Sequence, residues 1–121
     1  MSVFRYLNAK KDLTGNSAVD IYICPPKTIA ILDSIVVSED SGNADTITLT
    51  LTEKPDASGD YSSSSIFSLY KTKAISANGT AELLTHSGIY MTAQEKIVAT
   101  AATANRLHII LSIREVYIGT N

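Results

Sequence analysis

Tryptophan is absent from this chain, cysteine occurs once, at Cys24, and proline three times in 121 residues. A single cysteine leaves no intrachain disulfide and no cysteine-based zinc site. Charged residues make up only 18%, against roughly 25% in an average globular domain. The formal net charge is −2, and the largest basic cluster is the pair Lys10-Lys11. A nucleic-acid binder needs a basic stripe, because phosphate contacts supply much of its affinity, so nucleic acid is excluded as the main partner. No run approaches the roughly 20 apolar residues of a membrane-spanning helix. The opening MSVFRYLNAKK has no apolar stretch of the signal-peptide kind. We therefore expect a soluble protein made in a cytoplasm, with no membrane partner.

What is present is apolar and hydroxylic. Hydrophobic residues make up 45%, a globular composition, and 14 serines and 13 threonines stand where charge is missing. Such a surface suits packing against neighbours, since few long charged side chains must be ordered at a contact. The length is that of one domain, so residues 1–121 are expected to form a single unit with a leader at 1–13 and a tail at 114–121.

Strand patterns dominate the chain. DTITLTLTEK (45–54) alternates cleanly, with Ile47, Leu49 and Leu51 on one face and Thr46, Thr48, Thr50 and Thr52 on the other. SAVDIYIC (17–24) sets Val19, Ile21 and Ile23 against Asp20 and Tyr22, and Pro25-Pro26 then stops it, since proline cannot donate to a ladder. KTIAILDSIVV (27–37), IFSLYK (66–71), GIYM (88–91), KIVATA (96–101) and RLHIILSI (106–113) read as further strands. SEDSGNAD (38–45) and the Asn-Gly of SANGT (76–80) read as turns, and EKPDASGDYSSSS (53–65) as the longest loop. TAQEKIVATAATAN (92–105) carries a second pattern, with Thr92 and Glu95 spaced as a helical capping box. Its β-branched residues and the surrounding pattern favour a strand. The fold class is all-β: a single-domain antiparallel β-sandwich, jelly-roll-like among the sandwich topologies, with about eight short strands.

Alternation breaks in two places. In 27–37, Ile29, Ile31, Asp33, Ile35 and Val37 share a parity while Ala30, Leu32 and Val36 oppose them. Either a bulge near Asp33 shifts the register, or the strand is apolar on both faces; the sharper reading is that Ile35, Val36 or Val37 meets another subunit. Near the C-terminus, Glu115 interrupts the apolar series that ends at Ile113, and Val116 and Ile118 resume on even positions. The tail is therefore not expected to extend the last strand with the same face inward. The aromatics of SVFRYLN and EVYIGTN imply that both ends are docked, on their own body or on a neighbour.

Catalytic constellations are thin. His86 and His108 have no nucleophile or paired carboxylate at a meaningful spacing, and Cys24 reads as a small buried hydrophobe. No catalytic residue is assigned and no enzyme activity is expected. Glu39, Asp40, Asn43 and Asp45 are hard oxygen donors, but their spacing is that of a solvated acidic turn, so neither metal nor cofactor is assigned. Asn78-Gly79-Thr80 reads as a turn before it reads as a glycosylation acceptor. Sugar binding by a sandwich rests on exposed aromatics; Tyr61, Tyr70 and Tyr90 are the candidates, in a chain without tryptophan.

The order of these motifs carries a resemblance. RYLNAKK, DIYICPPKTIAILDSIVVS, DTITLTLTEK, ISANGTAELL, IYMTAQEKIVATAAT and LHIILSI together resemble small β-sandwich virion proteins of tailed bacteriophages over roughly residues 4 to 113. The Gln94-Glu95 pair departs from that pattern, whose usual turn there is Gly-Asp. The resemblance implies a non-enzymatic virion part: a capsid decoration or cement protein, or a component of the head–tail junction or tail. It implies a homo-oligomer, with a trimer favoured, and the major capsid protein or other virion proteins as partners. A carbohydrate-binding module is the alternative from another class. Interface candidates are Phe4 and Tyr6 of the leader, Ile35, Val36 and Val37, the threonine face at Thr46, Thr48 and Thr50, and Val116, Tyr117 and Ile118 of the tail.

Overall fold

The computed structural model describes residues 3–85 and 88–119, and every regular element among them is a β-strand. In chain order these are β1 (Val3–Leu13), β2 (Val19–Ile23), β3 (Thr28–Glu39), β4 (Asp45–Thr52), β5 (Ile66–Ile75), β6 (Thr80–Glu82), β7 (Ile89–Met91), β8 (Lys96–Ala101) and β9 (Leu107–Tyr117). One antiparallel sheet runs β1-β9-β3, with β6 and β7 both beside β3; the other runs β2-β8-β4-β5. The pairing is nested: β1 with β9, β2 with β8, β3 with β6 and β7, and β4 with β5. A long hairpin rolled up in this way is a jelly roll.

Period-2 alternation places the core. Leu32, Ile35 and Val37 of β3, Ile47 and Leu49 of β4, Ile97 of β8, and Leu107, Ile109 and Leu111 of β9 are wholly excluded from solvent. Burying a side chain of this size stabilises the fold by about 1.5–3 kcal/mol before entropy is counted. β3 stays apolar on its inner face because a bulge between Leu32 and Ser34 resets its register against β9. Ile35 and Val37 therefore point inward, and Val36 outward. The break between β6 and β7 falls beside that bulge, where the Leu83 amide donates to the Ile35 carbonyl at 2.8 Å.

The segment 92–105 holds a strand, β8, between two turns and no helix. The Glu95 carboxylate does accept the Thr92 amide, at 2.7 Å, as a capping box would have it. Here, however, the contact closes a tight turn: the Glu95 amide donates to the Thr92 carbonyl, and Gln94 takes a φ of 68°. Ile97, Val98 and Thr100 then continue as β8. Asn78, at φ 55°, makes the expected Asn-Gly turn, and the Gly79 amide donates to the Ser76 carbonyl.

Two expectations about faces need correction. In β2 a register shift between Asp20 and Tyr22 turns Tyr22 inward and leaves Ile23 exposed. In β9 the tail does extend the last strand, as far as Tyr117, with the same face inward through Glu115. Glu115 takes the inner position that an apolar residue would have occupied, because it finds polar partners there. Residues 3–13, read as a leader, form β1 and pair along their whole length with β9.

Candidate interaction surface

The outward face of the β1-β9-β3 sheet follows from the register. Residues directly opposite in an antiparallel pair share a face. Across β1, β9 and β3 the outward rows are Phe4-Val116-Ile29, Tyr6-Arg114-Ile31, Asn8-Ser112-Ser34, Lys10-Ile110-Val36 and Asp12-His108-Ser38. β7 adds Tyr90 beside Ile31, and β6 adds Glu82 beside Val36 and Thr80 beside Ser38. Phe4, Tyr6 and Tyr90 are 49%, 76% and 73% exposed. Phe4 and Tyr6 meet edge to face with ring centroids 5.3 Å apart.

Arg114 stands among them. Its Nε and Nη2 donate to the two carboxylate oxygens of Asp33, each at 2.8 Å. The hydrogen bond from Arg114 holds the Asp33 carboxyl below the usual carboxylate range, and the same pair raises the guanidinium. The bulge is what presents Asp33 for this fork. Exposed aromatics around an oriented arginine are the residue types that anchor protein interfaces.

The other side chains of interest have internal work. Glu115 is 3% exposed and accepts the Tyr22 hydroxyl on one oxygen and Arg5 Nε, at 2.7 Å, on the other. A cleft of about 400 Å³ opens beside this group, between Arg5, Pro25, Pro26, Thr28 and Tyr117. Burial pushes the Tyr22 hydroxyl well above the ordinary tyrosine range, and Glu115 adds to it. Cys24, buried next to them, is pushed up to about 11, first by burial and then by the Glu115 charge. Glu39 takes the amides of Ser41, Gly42 and Asn78 and the Ser41 hydroxyl, fastening the turn after β3 to the turn before β6. Burial would raise its carboxyl, but those donors outweigh it and hold it at about 2.

Asp45 accepts the Thr103 amide at 3.1 Å, and Asp40 lies 3.2 Å from His108 Nε2, with Asp12 on the other ring nitrogen at 3.5 Å. Among the described residues no group of three His, Cys, Asp or Glu side chains is arranged to hold a metal ion. His86 lies outside the described residues.

The structure sorts the sequence-derived candidates. Phe4, Tyr6, Val36 and Val116 share the outward face of the β1-β9-β3 sheet. Ile35 and Val37 are core residues of their own chain. Thr46, Thr48 and Thr50 are half-buried on the outside of the other sheet, where Thr48 Oγ1 accepts the Thr72 amide at 3.0 Å. Tyr117 lines the cleft, and the Ile118 amide donates to the Lys27 carbonyl at 2.8 Å. Arg114, Ile31 and Asp33 lie on or beside this face and are not among the sequence-derived candidates; the signal for them is Ile110 and Val116 at outward positions of a strand whose other face is core.

The three tyrosines considered for sugar stacking do not form a platform. Tyr61 lies under Lys96 Nζ, 4.1 Å from its ring centroid, and donates to the Gln94 carbonyl at 2.6 Å. Tyr70 donates to the Leu83 carbonyl at 2.5 Å, and Tyr90 belongs to the other sheet.

The topology defines a jelly-roll sandwich, and one of its sheets gathers exposed aromatics around the Arg114–Asp33 pair. No family model matches the sequence, and no curated protein does. Among solved structures, a chain of the T13 viral particle of infectious bursal disease virus is similar at TM-score 0.59 and 7% identity, over 96% of this chain and 31% of that one. A chain of the Gx strain of infectious bursal disease virus is similar at TM-score 0.56 and 9% identity, over 100% of this chain and 33% of that one. This chain thus spans about a third of each. A chain of the capsid of Helicobacter pylori bacteriophage KHP30 shows a weaker likeness, at TM-score 0.49 and 10% identity, over 94% of this chain and 90% of that one. At these identities the likeness is one of fold.

Proposed function

We propose that this chain is a non-enzymatic structural protein of a virion, a capsid decoration or cement protein of a tailed bacteriophage that bridges capsid subunits. The observation that carries the proposal is the outward face on which Phe4, Tyr6, Ile31, Tyr90 and Val116 surround the Arg114–Asp33 fork. Cementing needs no bond chemistry. A protein that binds only the assembled lattice stabilises it by mass action, and many copies held by symmetry add their small contributions. The jelly-roll likeness to virus-particle chains supports the class of role, and the decoration role comes from the motif order. The proposed partner is the major capsid protein, and the proposed location is the virion.

Quantitative mass spectrometry of separated heads and tails tests this. A copy number near that of the major capsid protein on heads supports decoration. A copy number matching a tail or neck ring would move the protein to the head–tail junction or tail. Absence from purified particles would end the virion proposal.

A further inference from the structure

We infer that the outer face of the β1-β9-β3 sheet pairs with the same face of a second copy, about a twofold axis running along the strands between β9 and β3. Two sheets packed face to face lie about 10 Å apart with strands aligned to within about 30°. A twofold axis along the strands keeps each row level and reverses its order.

The rows then become self-complementary. Tyr6 of one copy falls opposite Tyr90 of the other, and Arg114 opposite Ile31. One row further on, Ile110 falls opposite Val36 and Lys10 opposite Glu82. In the last row Asp12 meets Thr80 and His108 meets Ser38. No row sets like charges against each other. Lys10 has no ion-pair partner among the described residues of its own chain. Among the described residues Glu82 uses only Oε2 internally, to accept the Ile35 and Leu84 amides.

The other face-to-face twofold, across the strands, reverses the rows from end to end. It would press Phe4 against Asp12 and Tyr90 against Glu82, desolvating carboxylates against aromatic rings. Charge complementarity therefore selects the axis along the strands.

The area is sufficient. Three of the five rows are opposed over four strands and two over two, so with strands about 4.8 Å and rows about 6.7 Å apart the opposed sheet is roughly 500 Å² per copy and roughly 1,000 Å² for the pair, about what a specific interface needs. The pairing uses the face that carries the virion proposal and would have to open for that face to meet the capsid, so a wild type that stays monomeric leaves the virion proposal standing.

Sedimentation equilibrium across a concentration series tests it, using the full chain, Tyr6→Lys, Tyr90→Glu, the double variant and Lys10→Glu. Tyr6 and Tyr90 occupy outward positions and make no internal hydrogen bond among the described residues, and thermal melts are to check that each variant is folded. The wild type is expected to form a dimer. Each tyrosine single variant is expected to weaken it about tenfold or more, and Lys10→Glu about tenfold, since each change acts twice per dimer. The double variant restores an opposite-charge pair and is expected to return most of the affinity. A wild type that stays monomeric overturns the pairing, as does a dimer indifferent to Tyr6→Lys. A double variant no better than the singles overturns this axis. Loss of particle incorporation by a Tyr6→Lys chain whose wild type is monomeric would assign the face to a different virion protein.

Discussion

The Tyr22 hydroxyl, on β2 of one sheet, donates to the buried carboxylate of Glu115, on β9 of the other. The two residues are 93 positions apart, and Arg5 of β1 completes the group. A charge at this depth is tolerated because both of its oxygens are satisfied, and removing one partner leaves the other to be buried alone. Tyr22→Phe is therefore expected to cost about 1–3 kcal/mol in urea-induced unfolding.

The same pair sets an alkaline limit. The Tyr22 hydroxyl ionises well above the 10.0 of a free tyrosine, first through burial and then through Glu115. In the unfolded chain it ionises near that ordinary value. Its contribution is therefore complete below pH 10 and is progressively lost above it, because the unfolded state then gains by releasing the proton. Absorbance titration near 295 nm should show a tyrosine that ionises only as the chain unfolds, and Tyr22→Phe should abolish that step.

Glu39 sets an acid limit of the opposite sign. Its carboxyl is held at about 2, below an ordinary 4.5. The stabilisation it brings is complete above pH 4.5 and is lost as pH falls from there towards 2. Melting temperature followed from neutral to acid pH should fall more steeply in the wild type than in Glu39→Gln, which has no proton to take up. Equal slopes would show that the donors from Ser41, Gly42 and Asn78 do not act on this carboxyl.

Cys24 should be chemically silent in the native protein. Its thiol is fully buried, donates towards the Thr28 and Met91 carbonyls at 3.4 and 3.8 Å, and is pushed up to about 11. At pH 8 the thiolate, which is the reactive form, is scarce and shielded. Reaction with a chromogenic disulfide should be at least about a hundredfold slower than in denaturant, and Tyr22→Phe, which loosens this corner, should speed it.

The bulge at Asp33 makes a length prediction. β3 advances two residues, from Leu32 to Ser34, while β9 advances one, from Ile113 to Ser112. Deleting Asp33 leaves Leu32 inward, Ser34 outward and Ile35 inward, so a regular ladder forms at the cost of the Arg114 fork. Deleting Val36 puts Ile35 and Val37 side by side and turns one half of the strand inside out. The Asp33 deletion should fold with reduced stability, and the Val36 deletion should not fold, as judged by cooperative thermal unfolding.

The positions of the strands were legible because alternation is local. Ile47 and Leu49, or Leu107 through Ile113, carry their facing in their own neighbours, and the bulge showed as a change of parity around Asp33. Glu115 was harder. As a break in an apolar series it resembled the end of a strand, since its partners, Tyr22 and Arg5, are remote in the chain. Tyr22 reads as outward, because a register shift inside a five-residue strand leaves little pattern to read.

An all-β sandwich with a dry interior and sparing charge is written in the order of residues, because period-2 patterning and turn chemistry act over a few positions. Which outward residues form one surface is settled by the folded arrangement alone. Phe4, Ile31, Tyr90 and Arg114 come from four strands spread along the chain, and their meeting depends on the nested pairing that lays β9 between β1 and β3. It also decided that Ile35 and Val37 are internal and that Glu115 is buried, because burial of an apolar or charged group depends on partners that arrive from elsewhere in the fold.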